Sequence, residues 1–195
     1  MKMFNYIGLA GFALLMVQGL AAQSSFVKDN FPVSEEKIFY QEVISVDSTV
    51  SADKLYLETK KWLTKVFESS EKVIELDDHQ SSTIVIKGFV EKGHNGFVKN
   101  PKNWFTLTVE CKQGRFRYTL TDILYEFSVT LEGYSNEYHE PFEKWMVQPE
   151  VNSKRKREKT EAYLNQYCKE LNNELEQIIK SLISTLSDSN ENEDW

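Results

Sequence analysis

The sequence predicts an α+β fold, an antiparallel sheet with helices on one of its faces. Two periodicities lead to this prediction: apolar and polar residues alternate in several short runs, and two longer segments place apolar residues at helical spacing. The order along the chain is β-α-β(4)-α, ending in a long C-terminal helix. In such a layered fold the helices cover one sheet face and the other face stays open.

The first strand and the first helix are marked by a change of period. Residues 37–46 are rich in β-branched and aromatic side chains, which favours a strand. Residues 51–69 carry apolar side chains every three to four positions, with Ser51 placed to cap the first turn. Because Trp62 shares its helix face with Leu63, we expect it in the hydrophobic core.

Four further strands are predicted over 72–76, 82–91, 103–111 and 115–131. The last two form a hairpin across a tight turn at residues 112–114. The apolar residues change phase near Asp122, which predicts a β-bulge or a strand break at that point.

The N-terminal segment has the pattern of a secretory signal peptide. Lys2 is followed by an apolar run over 6–22 that ends in small residues. The alternative is an uncleaved membrane anchor, but this run is shorter than the ~20 residues of a spanning helix, and no later segment is apolar enough to cross a bilayer. We predict a signal peptide over 1–22, cleaved after Ala21 or Ala22, and a periplasmic or secreted protein without a transmembrane span once the signal is removed.

The remainder of the chain divides by composition into five segments. They are a polar linker (23–36), the α+β domain (37–132), a long loop (133–154), a C-terminal helix packing on the sheet (155–187) and an acidic tail (188–195). The loop contains aromatic residues, which we expect to pack against the domain.

Charge and motifs exclude several classes of function. The chain has 23 Lys and Arg residues against 30 Asp and Glu, a net charge of -7, which disfavours nucleic-acid binding. Ser51 and Lys54 match the S-x-x-K motif of penicillin-binding enzymes, but the S-D-N and K-T-G elements that such enzymes need are absent. The sequence also lacks a G-x-S-x-G, a glycine-rich phosphate loop and a C-x-x-C.

Two short runs, 77–79 (DDH) and 137–140 (EYHE), are candidates for metal ligands. Neither spacing places two ligands on one side of a regular element, and Asp after a strand favours a turn. We interpret both runs as solvated turn residues. The sequence therefore predicts no catalytic, cofactor-binding or metal-binding residue, no cofactor and no enzymatic activity.

The cysteines allow two arrangements. Cys111 ends the apolar face of its strand, and Cys168 lies on the apolar stripe of the C-terminal helix. Export permits a disulfide between them, and two separately buried thiols are the alternative. We favour the buried thiols, because few helix registers bring the two Cα atoms within about 7 Å. In either case both side chains are expected in the helix–sheet layer.

The open sheet face is predicted to be polar and rich in threonine. Its residues are Trp104, Thr106, Thr108 and Glu110 on one strand and Arg115, Arg117, Thr119 and Thr121 on the next. We favour a solvated β-surface, which accounts for the threonines. Trp104, Arg115 and Arg117 are nevertheless a candidate binding surface, because Trp and Arg are enriched at such surfaces. The basic run 154–159 is interpreted as a solvated helix start, with contact to an anionic lipid or glycan as the alternative.

Three pieces of the chain point to a known family. They are K-K-W at 60–62, L-D-D at 76–78 and R-F-R-Y-T-L-T-D at 115–122. Within the stretch 37–125 they resemble a family of small secreted Gram-negative bacterial proteins of unknown function, whose domain has a TATA-binding-protein-like (TBP-like) fold. The resemblance implies this fold and export, and it implies no activity. A fold does not determine a function, so the name carries no expectation of DNA binding.

The sequence thus predicts a non-enzymatic exported protein that acts as a binding or envelope-associated interaction module. The partner is expected to be an envelope protein or a small ligand and not a nucleic acid. The alternative is a carrier that holds an apolar ligand between the sheet and the C-terminal helix, in a cavity lined by Phe105, Tyr118 and Leu171.

Overall fold

The computed structural model describes residues 25–67, 73–91, 98–131, 134–146 and 154–188. Its helices are α1 (Ser25–Asn30), α2 (Ala52–Val66), α3 (Phe142–Trp145) and α4 (Lys154–Ser187). Its strands are β1 (Val33–Ser34), β2 (Lys37–Ile38), β3 (Tyr40–Ser45), β4 (Ile74–Asp78), β5 (Thr83–Glu91), β6 (Val98–Lys112), β7 (Arg115–Leu131) and β8 (Tyr134–Pro141). The predicted signal peptide, 1–22, lies outside the described residues, as does 189–195 of the acidic tail.

A six-stranded antiparallel sheet forms the centre of the fold, in the order β3-β7-β6-β5-β4, and β8 also pairs with β7. On the side away from β6, the long strand β7 has two partners in succession. Strand β3 pairs with residues 115–120, and β8 pairs with residues 124–131. The predicted α+β class is confirmed; this sheet has six strands where the β-α-β(4)-α order predicts five, and β1 and β2 form a separate two-stranded sheet.

A β-bulge lies in β7 where the phase change predicted an irregularity. Between the facing pairs Thr106–Thr121 and Trp104–Leu124, β6 has one residue and β7 has two. One of the two, Asp122, has a φ of 54°, a left-handed conformation that a bulged residue can adopt. The bulge shifts the alternation by one residue, so apolar side chains reach the core on both sides of it.

Helices α2 and α4 contribute to one hydrophobic core with the same face of the sheet. Trp62 of α2 is 1% exposed, and its Nε1–H donates to Ser181 Oγ of α4 at 3.0 Å. The expectation that Trp62 is a core residue is confirmed. Ser51 precedes α2 and accepts a hydrogen bond from the Lys54 backbone N–H at 3.1 Å, which is the N-cap that the sequence predicted.

The predicted linker over 23–36 is wrong where the structure describes it. This segment forms the helix α1 and the strand β1, which pairs with β2. Val27 and Phe31 are only 1% and 5% exposed, because α1 packs against α4. Burial of two apolar side chains thus orders a segment whose composition is otherwise polar. Strand β2 is also separate from β3, so the strand predicted over 37–46 is divided.

The predicted loop over 133–154 is wrong for residues 134–146, which form β8 and α3. Residues 136–140 are all exposed, so β8 shows no alternation of apolar and polar side chains. It is nevertheless a strand, because antiparallel pairing uses main-chain groups. Phe142 and Met146 are buried, as expected for this part of the chain.

Cys111 and Cys168 are free and buried in the structure. Cys111 Sγ lies 4.0 Å from Thr59 Oγ1, and Cys168 Sγ lies 3.7 Å from Met146 Sδ. Burial raises the pKa of the Cys111 thiol to about 11 and that of the Cys168 thiol to about 12. The structure therefore has the two separate thiols, and the predicted burial of both is confirmed.

Candidate functional site

The open sheet face has clusters of charged and aromatic residues near both ends. Trp104 lies six residues before Glu110 on β6, and Arg117 faces Glu110 from β7. The ends are therefore about 20 Å apart, at roughly 3.3 Å per residue. The candidate surface of Trp104, Arg115 and Arg117 shares one face, but the structure divides it between two grooves.

One groove is lined by Glu75, Lys87, Trp104, Leu124, Glu126 and His139, and has a volume of about 320 Å³. We call it the tryptophan groove. Five strands of the sheet build it, because Glu75 comes from β4, Lys87 from β5, Trp104 from β6 and the other residues from β7 and β8. It is thus assembled entirely by strand pairing, without a loop.

An aromatic pair stands beside the tryptophan groove. Phe89 and Trp104 are cross-strand partners, and their ring centroids are 4.8 Å apart with the planes inclined at 56°. Phe89 remains 38% exposed. Lys102 Nζ lies 5.0 Å from the Phe89 centroid and 5.7 Å from that of Trp104, while Lys87 Nζ lies 5.9 Å from the latter. Both ammonium groups are close enough for cation–π attraction.

Glu126 fixes the position of Trp104. Its Oε2 accepts a hydrogen bond from the Trp104 indole Nε1–H at 2.6 Å and lies 3.7 Å from His139 Nδ1. Its Oε1 lies 3.5 Å from Lys102 Nζ. One carboxylate therefore connects residues of three strands, and the indole is held in place before any ligand arrives.

The second groove lies at the far end of the open face. Its volume is about 230 Å³, and it is lined by Val43, Glu110, Lys112, Arg115, Phe116 and Arg117. We call it the arginine groove. Arg117 donates from Nε and Nη2 to the two carboxylate oxygens of Glu110, both at 2.7 Å, so its guanidinium is engaged in a bidentate pair. Arg115 is exposed at the strand start.

Sequence reasoning missed several residues of the tryptophan groove. The open face was expected to carry a single aromatic residue, but Phe89 lies on it as well. The alternation of β5 contained the signal, because Ile84, Ile86 and Val90 are buried and the intervening Phe89 must then point outward. The contribution of His139 depends on the pairing of β8 with β7, and β8 was not predicted.

The interior offers little room for an apolar ligand. Phe105 and Leu171 are both 0% exposed and Tyr118 is 6% exposed, all within one continuous core. The cavity proposed for a carrier would be lined by these side chains, which instead pack against the rest of the core. A groove of about 410 Å³ at the border of α4 and β5 is open to solvent and includes Glu91 and Glu174.

The two aspartates of the run 77–79 have structural roles. Asp77 accepts hydrogen bonds from the Tyr56 hydroxyl and from Lys60 Nζ. Asp78 accepts from the backbone N–H groups of Gln80 and Ser81, which closes the turn after β4. Hydrogen bonds lower the pKa of both carboxyl groups; the largest cause is the bond from Lys60 for Asp77 and the bond from the Ser81 hydroxyl, at 2.7 Å, for Asp78.

The run 137–140 is part of a strand and not a turn. Glu137 and His139 therefore share one side of β8, contrary to the expectation that no two candidate ligands do so. Within the residues that the structure describes, no three His, Cys, Asp or Glu side chains lie close enough together to hold a metal ion.

The basic run 154–159 begins α4 and is exposed. Lys154 lies 4.0 Å from Glu158, and Arg157 lies 3.8 Å from Glu161, so charges are paired along the helix surface. These pairs support the interpretation as a solvated helix start. In the described part of the chain, none of the helices has both the length and the hydropathy of a membrane span.

Comparison with known proteins shows the fold and a family to which part of the chain is similar. Residues 40–126 match a family described as "Domain of unknown function (DUF4468) with TBP-like fold". A search of curated proteins finds no match. A TBP-like protein from Parabacteroides distasonis is similar in structure, with a TM-score of 0.58 and 13% identity over 80% of this chain and 97% of that one.

A DUF4468 family protein from Bacteroides ovatus is similar to the same degree. Its TM-score is 0.55 at 14% identity, and the match covers 83% of this chain and 92% of the other. At such identities the likeness shows the fold alone. Together with the family match, it confirms the TBP-like fold that the sequence pieces implied. Residues 40–126 are therefore similar to the DUF4468 family of unknown function, whose fold is TBP-like.

Proposed function

We propose that this chain is an exported, non-enzymatic binding module that recognises its partner through the tryptophan groove. The observation that carries the proposal is the Phe89–Trp104 pair, which is partly exposed on the open face and held by Glu126. Aromatic side chains that are rigid and accessible before binding lose little conformational freedom on contact, and they are enriched among residues that dominate binding energy. The apolar run over 6–22 supports export.

The contacts of the carboxylates with shifted pKa support a non-enzymatic role. Asp77 joins α2 to β4, and Asp78 closes a turn. Asp47 accepts from the Thr49 backbone N–H and hydroxyl, and Glu176 pairs with Lys180 on α4. Each of these pKa shifts thus arises from a structural contact: a turn, an ion pair along a helix, or a contact between a helix and a strand.

The tryptophan groove fits this proposal better than the arginine groove does. In the arginine groove the most directional group, the Arg117 guanidinium, already has a bidentate partner. A ligand that takes Arg117 would have to replace its two charge-assisted hydrogen bonds to Glu110, which opposes binding there. In the tryptophan groove the internal contacts position the rings and leave the Phe89 ring accessible.

Affinity capture from the envelope fraction of the native host tests the proposal. The purified chain is immobilised as wild type, as the double variant Phe89→Ala/Trp104→Ala, and as Tyr163→Ala. Tyr163 is a matched control, because it is an exposed aromatic residue on α4, away from the open face. We expect wild type and Tyr163→Ala to retain the same material and the double variant to lose it. Equal retention by the double variant would contradict the proposal.

A further inference from the structure

We infer that the tryptophan groove binds a sugar ring of a neutral glycan, an inference that rests on the proposed function and names its ligand class. The groove combines an aromatic pair with a balanced set of charged hydrogen-bonding groups. Three properties of the groove favour a neutral sugar as its ligand: the net charge of its side chains, the exposed aromatic surface, and the mixture of hydrogen-bond donors and acceptors.

The charges at the groove cancel. Lys87 and Lys102 contribute two positive charges and Glu75 and Glu126 two negative ones, with His139 counted as neutral. The two carboxylates would repel a strongly anionic ligand, and the two ammonium groups would repel a strongly cationic one. Neither kind of ligand therefore gains a net electrostatic attraction. The arginine groove differs, because Lys112, Arg115 and Arg117 stand against Glu110 alone. Charge complementarity therefore favours a neutral ligand at the tryptophan groove.

The aromatic pair suits a pyranose ring. One face of such a ring presents C–H groups, which are apolar and slightly positive, and the face of an aromatic ring is slightly negative. Phe89 offers an exposed ring beside Trp104. The lysine ammonium groups now near these rings sit on flexible stems, and cation–π contacts at exposed sites are weak. A sugar can therefore take the place over a ring while the ammonium moves to a hydroxyl group.

The polar groups around the pair match the hydroxyl groups of a sugar, each of which is both a donor and an acceptor. Lys87 and Lys102 supply donors, and Glu75 and Glu126 supply acceptors. Glu126 holds the Trp104 indole from the side through Nε1–H, so the ring is oriented before the sugar binds. The volume of about 320 Å³ lies at the lower end of the range for small-molecule sites.

NMR titration of the full chain tests this inference. The Nε1–H resonance of Trp104 is assigned with Trp104→Phe, and Trp62, whose indole is buried, serves as an internal reference. The neutral probes are cellotriose, maltotriose, laminaritriose and chitotriose. The matched probes are trigalacturonic acid, an acidic hexapeptide and glucitol, which has hydroxyl groups but no ring. All are added to tens of millimolar.

We expect a saturable shift of the Trp104 resonance with at least one neutral trisaccharide and no shift of the Trp62 resonance. The affinity should fall about tenfold or more in Phe89→Ala and stay unchanged in Thr108→Ala, an open-face residue between the two grooves. Binding of the acidic peptide or trigalacturonic acid alone would overturn the neutral-glycan inference while leaving the groove as a binding site. If no probe shifts the Trp104 resonance, the glycan inference is overturned as well. Capture of envelope material that depends on Trp104 would then show that the proposed function holds without the glycan inference.

Discussion

Lys60 Nζ of α2 lies 2.6 Å from Asp77 Oδ2 at the end of β4, which ties the first long helix to an edge of the sheet. The other oxygen of Asp77 accepts a hydrogen bond from the Tyr56 hydroxyl, and Tyr56 itself is only 3% exposed. Burial raises the pKa of Tyr56 to about 12, and the hydrogen bond to Asp77 contributes in the same direction. Both lysine and tyrosine therefore favour the charged form of Asp77.

We expect acid to weaken this connection. The contacts with Lys60 and Tyr56 lower the pKa of Asp77 in the folded chain, so its carboxylate contributes stability above the unfolded pKa of about 3.9 and loses it as pH falls through the lower folded value. Asp77→Asn should cost about 1 kcal/mol at pH 7, because the ion pair is partly exposed, and less at pH 3, which lies below the unfolded pKa. Urea unfolding at both pH values checks this. An equal cost of Asp77→Asn at the two pH values would contradict this prediction. Glu58→Gln is the control, because it removes an ion pair that lies within α2.

Replacing Trp62 tests the packing of α2 on α4. Trp62→Ala should cost about 3–5 kcal/mol in the free energy of unfolding, because it empties a fully buried site. Ser181→Ala removes only the partner of the indole N–H and should cost about 1 kcal/mol. Chemical unfolding followed by circular dichroism measures both. If Trp62→Ala has the same free energy of unfolding as the wild type, Trp62 is not buried as described.

A close contact at Gly88 predicts a destabilised alanine variant. A Cβ atom there would lie 2.7 Å from Phe105 Cζ and 2.9 Å from Phe67 Cε1. Because the Phe105 ring is fully buried, it has little space to move, and Gly88→Ala should cost about 1–3 kcal/mol. Adding Phe105→Leu should restore part of this loss, so the double variant should be more stable than the sum of the single changes predicts. Strict additivity of the two changes would argue against the contact.

The thiols of Cys111 and Cys168 should be unreactive in the folded chain. Both are buried, and burial raises the pKa of each far above neutrality, so little thiolate is present at pH 8. We expect slow labelling by a thiol reagent in native, reduced protein and rapid labelling of both positions in denaturant, read by mass spectrometry. Rapid labelling without denaturant would show that α4 does not cover Cys168 as described.

The sequence was sufficient for the elements whose side chains alternate or recur with helical period. The phase change near Asp122 even placed the bulge, because one apolar set ends before it and another begins after it. Strand β8 escaped prediction because its exposed side chains have no apolar face. Helix α1 was not predicted, because it is only six residues long and its apolar side chains are buried by α4.

The site was only half predictable for a different reason. Trp104 was placed on the open face by the alternation of β6 alone. Its neighbours depend on the register of β5 on β6 and of β8 on β7, which sets Phe89 opposite Trp104 and His139 opposite Glu126. Arg115 and Arg117 were assigned to the same surface by residue type, yet the length of β6 separates them from Trp104.

Site-specific photocrosslinking in the native host tests the central claim most directly. A photoreactive amino acid is placed at Leu124, which lines the tryptophan groove, or at Lys169, an exposed residue on α4. If the open face is the binding surface, the Leu124 position should give a discrete adduct that disappears when Phe89→Ala and Trp104→Ala are added, and the Lys169 position should give none. An adduct from Lys169 with none from Leu124 would place the binding surface on the helical side and contradict the account.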